Sequence, residues 1–308
     1  MNKFYYHNPV LLEKSICALI TDTNGIYVDV TFGGGGHSNE ILCRLSKKGK
    51  LFAFDQDIDS KKNLINDRRF FFINSNFKHL KKHLNHYEIY KVNGIIADFG
   101  VSSHQLDIPS RGFSIIKHGP LDMRMNKASD LTAESVINNY EEKKLYKIFK
   151  EYGQVSKAKE IAKKIVSHRK TKPIKSTTDL IKVLEKNISK FSKYKNLAKI
   201  FQSIRIEVNN ELEVIKQLLL QASELVKVKG RIVCISYHSL EDRLIKNFIR
   251  SGSFDNTDNR DFFGNVQKPF KKIGGLIVPD INEIKKNKRA RSAKMRIAEK
   301  IWNIFYLF

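Results

Sequence analysis

The run Thr31-Phe32-Gly33-Gly34-Gly35-Gly36-His37 sets four consecutive glycines between a β-branched apolar stretch and a segment with helical spacing. Glycines at such a turn let a ligand approach the main chain, and the helix N-terminus beyond adds partial positive charge. Asp55 ends the next apolar run, where Rossmann-type folds place a carboxylate on a ribose diol. Together these residues point to a nucleotide-like ligand. The dinucleotide fingerprint G-x-G-x-x-G fails: counted from Gly33 its last position is Ser38, and from Gly34 it is Asn39. That disfavours a nicotinamide-dependent oxidoreductase.

Three further groups of residues could do chemistry. Asp98-Phe99-Gly100-Val101-Ser102-Ser103, with Gln105 beyond, follows an apolar run and would lie at the carboxyl edge of a sheet, where open α/β folds bind ligands. Asp98 could equally cap a turn. Tyr237-His238-Ser239-Leu240-Glu241-Asp242-Arg243 follows another apolar run. There Ser239 and Asp242 come close to a capping box, a structural role that competes with catalysis by His238. Gly119-Pro120-Leu121-Asp122-Met123-Arg124-Met125 holds one more acid, Asp122. His79, His83 and His86 fall near one helix face, but no carboxylate or cysteine completes a ligand set, so no metal site is expected.

The elements that would position these groups alternate in type. Strands are expected at 26–32, 50–55, 69–74 and 94–98, with helices at 37–47, 58–66 and 77–87 between them. Such alternation implies right-handed crossovers and a parallel sheet. From 106 to 187 the pattern turns helical, over 129–152, 155–170 and 177–187, with Ser176 or Thr177 as a cap. A long helix near 209–227 leads back to a strand at 230–237 and a helix at 239–249. Segments 270–273 and 292–298 would add antiparallel strands, and 251–265 reads as a loop. The organisation is therefore an α/β sheet domain at 1–105 and 206–308, interrupted by an all-α insertion at 106–205.

The chain has 308 residues, 41% of them hydrophobic, enough to bury a large core. No run approaches the ~20 apolar residues of a membrane span, so no membrane partner is expected. Cys17, Cys43 and Cys234 are far apart and form no metal or disulfide pattern, which suits a reducing cytoplasm. The net charge of +24 attracts polyanions, although lysine-rich composition alone would produce it too.

The motifs TFGGGGH, DFGVSSHQLD, RGFS, GPLDMRM, FQSIRIEVNNEL, YHSLEDR and RARSAKMRIAE, with His7-Asn8-Pro9-Val10 ahead of them, run in order through essentially the whole chain. In that order and spacing the chain resembles the bacterial 16S ribosomal RNA cytosine-N4 methyltransferase family, known as MraW. The resemblance implies a Rossmann-like class I methyltransferase sheet with an inserted all-α domain for substrate recognition. It implies S-adenosylmethionine as cofactor, held by Gly35, Gly36, His37, Asp55, Phe77, Asp98 and Gln105. The methyl acceptor would be a decoding-centre cytosine of 16S rRNA in the small ribosomal subunit. Departures are mild: the family usually has Phe at Tyr237, Leu at Phe99, Gly at Lys229 and Pro at Lys288.

The cytosine amine is a poor nucleophile and must lose a proton, so a hydrogen-bond acceptor beside it is required. Asp98, Asp122 and His238 are unranked candidates. Phe99 and Tyr237 are candidate walls for an unstacked base. Backbone phosphates would meet Lys157, Lys159, Lys163, Lys164, His168, Arg169, Lys170 and Lys172 in the insertion. Lys286, Lys288, Arg289, Arg291, Lys294 and Arg296 would serve near the C-terminus. A non-catalytic RNA-binding assembly factor on the same fold, and methylation of protein, remain alternatives. Monomer and homodimer are both open at this stage.

Overall fold

The computed structural model describes residues 9–185, 193–255, 257–258, 260, 264 and 266–301. His7 and Asn8 of the first motif, positions 186–187 of an expected helix and part of the 251–265 loop lie outside the described residues. The helices are α1 (Leu12–Leu19), α2 (Gly36–Arg44), α3 (Leu80–His86), α4 (Ser103–Asp107), α5 (Ala133–Asn139) and α6 (Glu142–Glu151). They continue with α7 (Ala158–Arg169), α8 (Thr177–Glu185), α9 (Lys193–Asn209), α10 (Glu211–Leu225), α11 (Ser239–Ser251) and α12 (Ile281–Lys286). None of them is long and apolar enough to cross a membrane. The chain divides into two compact units, Met1–Gly100 with Leu212–Phe308, and Val101–Glu211.

The first unit holds a seven-stranded sheet of β1 (Ile26–Asp29), β2 (Lys50–Phe54), β3 (Phe70–Ile73), β4 (Val92–Asp98), β5 (Val226–Ser236), β6 (Phe270–Ile277) and β7 (Lys294–Lys300). Their order is β3-β2-β1-β4-β5-β7-β6. The first five are parallel, and β7 runs antiparallel to both β5 and β6. Side chains alternate between two apolar layers, as the pleat requires. Leu51, Ile96, Val233 and Ile235 join Ile16 and Leu19 of α1 and Ile41 of α2. Phe52, Phe54, Ile95, Ala97 and Cys234 join Leu80 of α3, Leu218 of α10 and Phe248 of α11. Both faces are buried, which is why these strands read as near-continuous apolar runs.

Several expected boundaries move for local reasons. Residues 58–66 form only a 3-10 turn, Ile58–Asn63, whose entry Asp57 caps through the Asp59 N–H. The helix expected over 129–152 is two, because Tyr140 and Glu141 take extended backbone between α5 and α6. Ser176 accepts from the Asp179 N–H and caps α8. The sequence reading had no counterpart for α1, α4, α9 or α12. The fifth strand starts earlier than expected, at Val226.

The second unit packs α5–α9 around one apolar cluster that includes Ile137, Phe149, Ile165, Leu184 and Phe201. Its motifs act as straps. Arg111, almost fully buried, donates to the carbonyls of Arg124 and Met125. Asn209 at the end of α9 holds the Met125 N–H at 2.7 Å and the Met123 carbonyl at 2.8 Å. These bonds enclose Met123, which adopts φ +56°, a conformation that tertiary contacts must enforce in a residue with a long side chain. Arg169 is a correction to the phosphate-binding set: its guanidinium donates to the Ile137 and Tyr140 carbonyls, at 2.6 Å each.

In the first unit, Arg296 on β7 grips Asp242 on α11 through Nε at 2.6 Å and a second nitrogen at 3.1 Å. Lys294 approaches the same carboxylate at 3.6 Å. Arg296 is therefore also withdrawn from phosphate binding, since its bidentate face is occupied. Both partners are largely buried, with side chains 14% and 12% exposed. Arg296→Ala should lower unfolding stability by about 3 kcal/mol, because it leaves a shielded carboxylate short of its main partner. Urea denaturation measures this, and a change below about 0.5 kcal/mol would show that the pair does not brace helix against sheet.

Candidate functional site

The site is built where β1, β2 and β4 end together. Asp29, 1% exposed at the end of β1, accepts the Thr31 N–H at 3.0 Å and the Ser38 hydroxyl at 2.7 Å. The Thr31 hydroxyl in turn accepts the Asp98 N–H at 2.7 Å. One acid thus holds the start of the glycine turn, the first turn of α2 and, through Thr31, the tip of β4. Sequence reading passed over Asp29. Its signal was an acid inside the apolar run Tyr27-Val28-Asp29-Val30, which a strand buried on both faces tolerates only with donors in reach.

Asp55 lies where the Rossmann comparison expects it, just past β2. Its Oδ2 accepts the Gly33 N–H at 2.7 Å and its Oδ1 the Asp57 N–H at 2.8 Å. Each oxygen keeps a second lone pair, so the carboxylate can still accept a diol. Gly33 and Gly35 have φ of +49° and +77°, open to glycine at little cost. A Cβ at Gly34 would meet nothing within 4 Å, whereas one at Gly36 would come 2.1 Å from Cγ of Pro9. The turn is thus clamped on the Pro9 side and open at Gly34.

His37, 5% exposed, bonds the Val10 backbone, while its Nε2 is buried with no partner. Burial pushes the ring pKa down to about 4, so the imidazole is neutral at physiological pH. A buried nitrogen without a partner is costly, and a ligand atom at this helix N-terminus would satisfy it. Phe77 opens a 3-10 turn and packs on Phe99 with ring centroids 6.1 Å apart. Phe99 is buried in the core, so it does not wall a base pocket as the sequence suggested.

Beside Asp98 stands the turn between β5 and α11. The Tyr237 hydroxyl donates to Asp98 Oδ1 at 2.9 Å. His238, not Ser239, caps α11: its ring nitrogen accepts the Glu241 N–H, and the Glu241 carboxylate accepts the N–H groups of Tyr237 and His238. The box sits one residue earlier than expected because the fully buried Glu241, rather than Asp242, occupies the third helical position. Asp242 is taken by Arg296.

In the second unit, Gln105 closes a capping box with Ser102 on α4. Asp122 forms a two-pronged pair with Arg124, at 2.9 and 2.8 Å, and also accepts the Arg124 N–H. Burial alone would raise its carboxyl, but the Arg124 contacts hold it below the usual range. Of the cationic candidates, Lys163 and Lys170 are exposed in the second unit, and Arg289 and Arg291 are exposed in the first. Lys164 is partly buried. Among the histidines, the His83 ring meets the Ser75 hydroxyl at 2.9 Å and the edge of Phe54.

Three acids converge at the strand tips and all are raised. Burial pushes Asp29 up to about 6, against the Ser38 and Thr31 hydrogen bonds. It pushes Asp55 up to about 7, against the Asp57 and Gly33 N–H groups. It pushes Asp98 up to about 7, opposed by the Tyr237 hydroxyl and aided by the charges of Asp29 and Glu241. A carboxyl that binds its proton more tightly folded than unfolded costs stability as pH rises, here from about 4 through 7. For Asp29, the shift from 3.8 to about 6 amounts to about 3 kcal/mol at neutral pH. Asp29→Asn should flatten the fall in stability of the ligand-free protein between pH 4.5 and 8 by about that much. Urea unfolding across this range checks it, and an unaltered slope would mean that burial does not strain Asp29.

The model of the MraW methylase family matches residues 4–301. A protein of Flavobacterium johnsoniae named ribosomal RNA small subunit methyltransferase H is 54% identical, covering 96% of this chain and 98% of the relative. Relatives with the same name are 50% identical in Cytophaga hutchinsonii (96% and 99% covered) and 48% identical in Bacteroides fragilis (96% and 97% covered). Matched by the family model along nearly its whole length and by relatives about 50% identical over 96% of it, the chain belongs to the MraW methylase family.

Proposed function

We propose that the chain transfers a methyl group from S-adenosylmethionine to N4 of a decoding-centre cytosine in the 16S RNA of the small ribosomal subunit. Family membership and the name carried by its relatives support the reaction class and the ribosomal substrate. The observation that carries the reading is Asp98. It lies at the carboxyl end of β4, partly exposed, tied through Thr31 to the glycine turn, with one oxygen on Tyr237 and Oδ2 making no hydrogen bond among the described residues.

The residues present fit the cofactor. Gly34 leaves open space, Nε2 of His37 lacks a partner, and both oxygens of Asp55 keep a lone pair for a diol. Gly35, Gly36, His37, Asp55, Phe77 and Asp98 in the first unit would hold it. Bound there, the cofactor supplies an electrophilic methyl group. Asp98 accepts a hydrogen bond from the cytosine amine, which localises the nitrogen lone pair, and then takes the surplus proton. Its pKa of about 7 suits a group that must be ionised before transfer and protonated after it.

Asp122 is a poorer proton acceptor because Arg124 donates to both its oxygens and lowers its affinity for a proton. His238 is committed to α11, which it caps through Nδ1, and its Nε2 is buried 3.0 Å from Glu241 Oε1. The second unit is the substrate-recognition module, with Lys163, Lys164 and Lys170 facing RNA. Arg289 and Arg291 serve the same end from the first unit, and Lys294 to the extent that Asp242 leaves it available.

Unmethylated small ribosomal subunits, labelled with radioactive S-adenosylmethionine and digested to nucleosides, test the proposal. N4-methylcytidine is expected, while label in protein, or none, would overturn it. Asp98→Asn should lower the single-turnover rate by about 100-fold, the scale of a lost proton acceptor. Gly36→Ala, whose Cβ overlaps Pro9, should weaken cofactor binding at least about tenfold by calorimetry. Wild-type affinity in that variant would show that the clamp does not shape the site.

A further inference from the structure

Tyr237 is fixed at both ends. Its backbone N–H donates to the buried Glu241 carboxylate at 2.9 Å, and its hydroxyl donates to Asp98 Oδ1 at 2.9 Å. Between these bonds the ring lies beside Gly100, where a Cβ would come 3.5 Å from Cδ2 and where φ is +103°. L side chains rarely adopt that backbone conformation, so the turn beside the ring requires glycine. Burial and the neighbouring Asp98 and Glu241 charges hold the phenol well above its ordinary pKa, and it stays a donor throughout the working range.

We propose that Tyr237 is the positioning residue for Asp98: its hydroxyl takes one carboxylate oxygen and leaves the other for the acceptor amine. This rests on the methyl-transfer reading of the site. A second consequence concerns charge. Asp98 is surrounded by groups that oppose its ionisation, with Asp29 reaching it from β1 and Glu241 from α11, in addition to partial burial. The Tyr237 hydroxyl is the principal group that favours the carboxylate. It therefore sets the pH above which Asp98 can accept a hydrogen bond from the substrate.

The hydroxyl is the single atom that distinguishes this side chain from phenylalanine, and it is the atom that reaches Asp98. Tyr237→Phe is consequently a mild variant that keeps the ring and removes one atom. The sign follows directly: without the donor the carboxylate is less favoured, Asp98 titrates at higher pH, and the acid limb of activity moves up.

The test compares wild type and Tyr237→Phe as full-length chains in two ways. Carboxyl-carbon NMR of labelled aspartate, without cofactor, should show the Asp98 midpoint rising by about one pH unit while Asp29 stays within about 0.3. Single-turnover methyl transfer should fall about tenfold at pH 6, converge on wild type near pH 9, and leave cofactor affinity within about twofold. An unmoved Asp98 midpoint overturns the proposal whether or not the protein transfers methyl groups. A rate loss that is uniform in pH also overturns it, because a packing defect would behave that way. A shifted midpoint in a wild-type protein that methylates nothing would instead defeat the methyl-transfer reading and leave the hold of Tyr237 on Asp98 standing.

Discussion

Everything at the site hangs on one buried carboxylate and the hydroxyl it organises. Asp29 accepts from Thr31 and Ser38, and Thr31 passes the constraint to the Asp98 main chain. Removing an acid from water is unfavourable unless donors replace the lost hydration. Here the donors are the very groups whose positions matter, so satisfying Asp29 and shaping the ligand turn are one act. Asp55 repeats the device from the next strand through the Gly33 N–H. The glycines supply backbone freedom, and the two acids remove it again in a single arrangement.

The sheet was legible because its strands are buried on both faces. Phe52-Ala53-Phe54 and Ile95-Ile96-Ala97 are apolar without interruption, and no amphipathic helix reads that way. Helix ends were less legible, since caps depend on which of several adjacent polar residues wins. His238 and Glu241 form the cap of α11 where Ser239 and Asp242 looked equally able, and Arg296, distant in sequence, decides it by taking Asp242. The ligand turn and Asp55 were readable from strand-to-turn order alone. Pro9 and the Tyr237 hydroxyl were not, because their roles are contacts between segments rather than spacings within one.

Charge illustrates the same limit. A net charge of +24 marks an affinity for polyanions, but it does not mark which cations are available. Arg169 ties off helix carbonyls and Arg296 braces a helix on the sheet, while Arg289 and Arg291 stand exposed a few residues away from Arg296. Arginines bury readily when planar partners meet them, and that fork makes them unreliable as surface markers.

The clamp at Pro9 has a bearing on how the chain matures as it is made. Pro9 presses on Gly36, and next to it the Leu11 N–H is held by Glu283 at 2.6 Å, across 272 positions. The central strand β4 likewise pairs with β5, whose residues emerge more than a hundred positions later. On a ribosome synthesising from the N-terminus, the glycine turn emerges early with Pro9, Asp29 and Asp55, whereas Glu283 arrives nearly last. The Leu11 end of the clamp and the outer neighbour of β4 are therefore completed only after the C-terminal segments have been made.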